Sequence, residues 1–166
     1  DRGLRGHGDA VVDVSPLGND KQLAIVEAQV KDALAKGAKL VCGGKRTDGR
    51  GYLPTLLDRC TGEMDVVREE TFGPVLAIVR VWGADEAVRA INTAKYGLGA
   101  SIWTRDVARA ERLIERLAVG VANVNTPANE GQEVPFGGVK RSGFGRELGP
   151  LGMDEFVNKR LYYVAD

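Results

Sequence analysis

Residues 74–125 read PVLAIVRVWGADEAVRAINTAKYGLGASIWTRDVARAERLIERLAVGVANVN, and two hydrophobic periods alternate along them. The run 74–81 is continuous and rich in β-branched residues, bounded by Gly73-Pro74 and Gly83, which is the pattern of a strand buried on both faces. Residues 85–94 then set Ala87, Val88 and Ile91 at helical spacing and stop at Tyr96-Gly97. Another strand follows over 100–104. Residues 106–118 carry Ala110, Leu113, Ile114 and Leu117 on one helical face and end at Gly120, and 121–125 is again strand-like. Strand, helix, strand, helix, strand with short connections predicts an α/β fold built on an open, mainly parallel sheet.

Upstream, 21–36 repeats Leu23, Val26, Val30, Ala33 and Leu34 at spacings of three and four, with Asn19 or Asp20 as N-cap and Gly37 as the stop. A short run 39–42 meets Gly43-Gly44. The Gly-rich, charged 45–51 reads as a loop before a strand-like 52–57. Downstream, 126–145 holds two prolines and five glycines, too many for a regular element, so it reads as one long loop. A helix broken by Gly149-Pro150 is expected within 147–158, and 161–164 closes the chain as a strand.

Composition narrows the chemistry. With 166 residues the chain is one domain or a piece of a larger one, and 43% apolar with 28% charged residues suits a chain that buries a core. Lys plus Arg equals Asp plus Glu at 23 each, so nothing in the charge favours nucleic acid or an anionic membrane. The longest strongly apolar stretch is 75–79, far short of the ~20 residues of a membrane helix, and no signal peptide opens the chain; the expected location is cytoplasmic. The single histidine, His7, lies in a Gly- and Arg-rich opening expected to fray, which argues against His-ligated zinc and a Ser-His-Asp triad. No metal site is expected. Cys42 and Cys60 lack CxxC spacing and read as small buried hydrophobes.

Two stretches could carry a site. Glu69-Glu70 sits just before Phe72-Gly73-Pro74, where the plain reading is a solvated acidic pair at a strand's edge. Gly143–Gly149 is a G-x-G-x-x-x-G run that could offer N–H groups to a phosphate. A loop precedes it and only 17 residues follow, against the strand and the distant acidic residue that the dinucleotide fingerprint needs.

Four segments in register settle more than any one of them: Glu69-Glu-Thr-Phe-Gly-Pro-Val75; Tyr96-Gly-Leu98 with Ala100-Ser-Ile-Trp-Thr-Arg-Asp106; Gly120-Val-Ala-Asn-Val-Asn125; and Pro135-Phe-Gly-Gly-Val-Lys-Arg-Ser-Gly-Phe-Gly-Arg-Glu-Leu-Gly149. With Pro16-Leu17 and residues 37–44 they resemble the C-terminal portion of the aldehyde dehydrogenase superfamily, from about Gly8 onward. The resemblance implies NAD or NADP as cofactor. It assigns Glu70 to the ribose hydroxyls of the nicotinamide half and Phe72 to packing against that ribose. A carboxylate accepts from two vicinal hydroxyls at once, and a ring fixes a sugar without adding charge. It places Asn125 beside the active site, Phe136 in the aldehyde channel, and Phe156 to Ala165 as an oligomerisation strand, hence a homo-oligomer.

The same resemblance divides the chain into 1–125, the C-terminal half of a catalytic domain; 126–153, a long loop with a short helix; and 154–166, the oligomerisation strand. The family's catalytic cysteine, which forms the thiohemiacetal and thioester, its water-activating carboxylate and its dinucleotide-binding domain correspond to sequence before residue 1. Neither Cys42 nor Cys60 stands at the nucleophile position, so no catalytic residue is assigned to this chain. Ser15 departs from the glycine common before Pro-Leu, and residues 1–7 match nothing in the family. Residues 135–149 with Glu155-Phe-Val-Asn158 are similar to semialdehyde-oxidising members. The competing expectation is a free-standing, non-catalytic module that keeps the fold for association with a full-length partner.

Overall fold

The computed structural model describes residues 14–127 and 131–165; the expectation for His7 and its neighbours lies outside them. The chain divides between Trp82 and Gly83 into two compact units.

In the first unit α1 (Asp20–Ala35) is capped by Asn19, whose side-chain oxygen accepts the Gln22 N–H at 2.8 Å, so of the two candidate caps the asparagine is used. Gly37, at φ +96°, closes it. Leu34, expected in the same stripe, is exposed, whereas Leu23, Val26, Val30 and Ala33 form the buried stripe, each at most 3% exposed. They pack with Tyr52, Leu57, Cys60, Met64 and Val66 into one core, where each large apolar side chain contributes about 1.5–3 kcal/mol.

Strand β1 (Lys39–Cys42) pairs antiparallel with β2 (Thr55–Cys60), which pairs parallel with β3 (Val75–Val79); between these last two lies α2 (Asp65–Arg68). Asp32 ties α1 to α2 by accepting the Asp65 N–H at 2.9 Å and pairing with Lys36 at 2.8 Å. The Asp65 N–H above all, then Lys36, hold its carboxyl below the usual carboxylate range.

Three expectations need correction here. The strand expected over 52–57 forms at Thr55–Cys60. Tyr52 is instead extended in an isolated antiparallel bridge with Arg46, with the Leu53 N–H on the Lys45 carbonyl, and the Thr55 hydroxyl, accepting the Gly44 N–H and donating to the Leu53 carbonyl, marks the change of partner. The run at 75–79 is not buried on both faces: β3 is an edge strand, and Leu76 is 64% exposed. Cys42 is exposed on the short edge strand β1, whereas Cys60 is buried as expected.

In the second unit α3 (Ala84–Thr93) leads to β4 (Tyr96–Gly97) and β5 (Gly99–Ile102); α4 (Val107–Ile114) then crosses to β6 (Val121–Val124), parallel to β5 in the register Gly99↔Val121 to Ile102↔Val124. Asp106 caps α4 by accepting the Arg109 N–H at 2.9 Å. The expected long loop is not free of regular structure. It contributes β7 (Val139–Lys140), antiparallel to β4, and Phe136 and Glu147 bridge by two backbone bonds of 2.8 and 2.7 Å. Prolines and glycines here build close turns that return the chain to β4. The broken helix is α5 (Gly149–Asp154), with Pro150 in its first turn. Residues 161–164 form no strand, since no backbone among the described residues pairs with them; Leu161 and Tyr162 are 92% and 84% exposed. The α/β class stands, with β2–β3 and β5–β6 as its parallel pairs.

Candidate functional site

Glu70 and Phe72 share one turn between α2 and β3 in the first unit. The turn is built by α1. Gln22, Val26, Gln29 and Ala33 lie in one row of the helix at spacings of four, three and four, and three of the four touch or face the turn. Gln22 Nε2 donates to the Thr71 carbonyl at 2.6 Å. Gln29 Oε1 accepts the Thr71 hydroxyl at 2.7 Å, and its Nε2 donates to the Glu70 carbonyl at 3.4 Å. Between the two glutamines, Gly73 lies directly on Val26: a Cβ at Gly73 would stand 2.5 Å from Val26 Cγ2.

So held, the turn points its functional groups outward. The Glu70 side chain is exposed, and its carboxylate makes no hydrogen bond or ion pair among the described residues. The Phe72 ring is 72% exposed, and its backbone sits at φ +43°, a left-handed conformation that costs a non-glycine residue about 1–2 kcal/mol. A strained, solvent-facing aromatic beside a free acceptor pair is poor design for stability alone. Its chemistry fits a sugar with two vicinal hydroxyls: two carboxylate oxygens to accept, and an apolar face to lie against.

The second unit separates its two assigned residues. Phe136 is half-buried and lines a cavity of about 290 Å³ with Leu98, Ser142, Phe144 and Phe156. Asn125, at φ +56°, does not line it. Its Oδ1 accepts the Thr104 N–H and its Nδ2 donates to the Thr104 carbonyl, both at 2.9 Å, so the amide ties the end of β6 to the segment after β5.

Neither cysteine has the surroundings of a nucleophile. Burial pushes the Cys60 thiol up, away from the thiolate, and Cys42 Sγ lies 3.8 Å from the Pro54 carbonyl. Among the described residues no group of three or more His, Cys, Asp or Glu side chains could hold a metal ion.

Gln22 and Gln29 were not singled out by motif or composition. Their signal was present: two amides seven residues apart on the apolar side of an amphipathic helix, where leucine would serve packing better.

The class follows from this fold and this turn, and comparison with known proteins fixes it. Residues 5–161 match the aldehyde dehydrogenase family, and the chain belongs to it. It is 45% identical over 150 residues to succinate-semialdehyde dehydrogenase [NADP(+)] of Deinococcus radiodurans, covering 89% of this chain and 31% of that protein. It is 42% identical to succinate-semialdehyde dehydrogenase [NADP(+)] 1 of Mycobacterium bovis, covering 95% and 35%. Among solved structures, succinate-semialdehyde dehydrogenase from Burkholderia pseudomallei superposes with a TM-score of 0.86 at 40% identity, over 92% of this chain and 32% of that one. An aldehyde dehydrogenase of Mycobacterium tuberculosis complexed with NAD+ gives 0.81 at 37% identity, over 86% and 30%. The chain thus spans about a third of the length of the relatives it matches.

Proposed function

We propose that this chain is the cofactor-positioning, C-terminal part of an NAD(P)-dependent aldehyde dehydrogenase that oxidises a semialdehyde to the corresponding acid. The observation that carries the proposal is the Glu70–Phe72 turn: an exposed carboxylate without a partner among the described residues and an exposed, strained ring, presented by a chain of this family. The nicotinamide, when bound, accepts hydride from the aldehyde carbon. This chain's part is to fix the ribose. Glu70 accepts from its hydroxyls and Phe72 limits its rotation, so the reacting ring is held rather than merely bound. Phe136 and its cavity form part of the aldehyde's path, and Asn125 shapes that path through the backbone it ties rather than through its amide.

The semialdehyde is favoured by the names of the relatives from Deinococcus radiodurans and Mycobacterium bovis, and both are NADP(+) enzymes. The thiol that attacks the aldehyde belongs to the remainder of the enzyme, because Cys60 is enclosed and Cys42 Sγ meets the Pro54 carbonyl rather than a base or a cation. Free thiols at both positions suit a cytoplasmic enzyme. Residues 156–165, exposed and with no strand partner among the described residues, would join a sheet of another subunit.

The test is Glu70→Gln in the full-length enzyme that contains this segment. Loss of one charged acceptor should slow hydride transfer and weaken cofactor binding about tenfold, while the melting temperature barely moves, since an exposed change usually stays within about 0.5 kcal/mol. Wild-type transfer and affinity in that variant would refute the assignment.

A further inference from the structure

We infer that Gln29 is a positioning residue for the Glu70–Phe72 turn, acting on cofactor geometry without touching the cofactor; the inference rests on the ribose site proposed above.

Gln29 is only 7% exposed and lies within the apolar stripe of α1, among Val26, Val30 and Ala33. A buried amide is tolerated only where both its ends are satisfied, and here both are satisfied by the same turn, more than forty residues away. One end grips the Thr71 hydroxyl and the other the Glu70 carbonyl, so the amide fixes the two residues that flank the Glu70–Thr71 peptide. Gln22 holds the next carbonyl, and Gly73 is seated on Val26. That leaves Phe72 as the residue that absorbs the misfit, which accounts for its φ of +43°. An unconstrained surface turn would relax a left-handed phenylalanine. The price of holding it is justified if the direction of the Glu70 carboxylate matters. Replacing Gln29 by leucine keeps the core filled and releases the turn.

The experiment uses the full-length enzyme carrying Gln29→Leu, Thr71→Val, Glu70→Gln, and Gln29→Leu with Glu70→Gln. Thr71→Val removes the same grip from a half-buried position and guards against misfolding of the core variant. Three quantities are read: the nicotinamide cofactor's Kd by fluorescence titration, the KM for the aldehyde, and amide hydrogen exchange in the cofactor-free protein. Gln29→Leu and Thr71→Val should each raise Kd by roughly tenfold, leave the aldehyde KM unchanged, and speed exchange over residues 69–74 but not over α1. The double variant should bind no more weakly than Glu70→Gln alone, since both act on one contact. Wild-type Kd in Gln29→Leu and Thr71→Val beside a weakened Glu70→Gln overturns the inference and leaves the ribose site standing. Multiplying losses in the double variant, or faster exchange throughout α1, overturn it as well, because they show separate or merely structural action. Wild-type Kd in Glu70→Gln overturns the ribose site and the inference together.

Discussion

Gly73 shows how a single residue links core to site. Its neighbour Val26 is fully enclosed and has no room to retreat from a methyl group placed 2.5 Å away. Gly73→Ala should therefore destabilise the protein by about 1–3 kcal/mol, read from the denaturant midpoint, and weaken cofactor binding by displacing Phe72. Val26→Ala should recover part of that loss, so a double variant whose losses simply add would show that the two do not meet. The motif singled out Glu70 and Phe72 in the sequence, with Gly73 only as the boundary of a strand. That Gly73 serves by close approach rather than by a left-handed backbone, and that Phe72 takes the left-handed position instead, depends on a helix packed against the turn from fifty residues upstream.

At the level of elements, the amphipathic helix α1 and the alternation of strand and helix were legible because local periodicity and packing agree there. Three features were not. Val75–Val79 has the pattern of a strand covered on both sides, yet it is an edge in a chain that spans about a third of its relatives. β7 is two residues long, too short for any period to register. Residues 161–164 read as a strand because of their side chains, but a strand exists only when another backbone pairs with it. That last point is testable. The exposed segment should bring chains together, so light scattering should find 1–166 as dimers or larger species and a chain ending at Asn158 as smaller ones. A monomeric 1–166, or an unchanged assembly after truncation, would remove the segment as the cause.

For the whole molecule, the first unit has a well-filled core under α1, while the second buries only Val88 and Ala110 fully among its described apolar side chains. The first is thus the firmer platform, and it is the one that bears the Glu70–Phe72 turn. On the proposed reading, chemistry and support are divided along the enzyme: the groups that fix the cofactor's ribose belong to this chain, and the reacting thiol belongs to the remainder, since burial pushes the Cys60 thiol up and Cys42 is exposed on an edge strand. The measurement that bears most directly on this division is a crystal structure of the full-length enzyme with its nicotinamide cofactor bound. Both oxygens of Glu70 should lie about 2.5–3.2 Å from the two hydroxyls of the nicotinamide ribose, with the Phe72 ring against the same sugar and φ at Phe72 still positive. A fully occupied cofactor whose ribose lies away from Glu70, with that carboxylate in solvent, would contradict it.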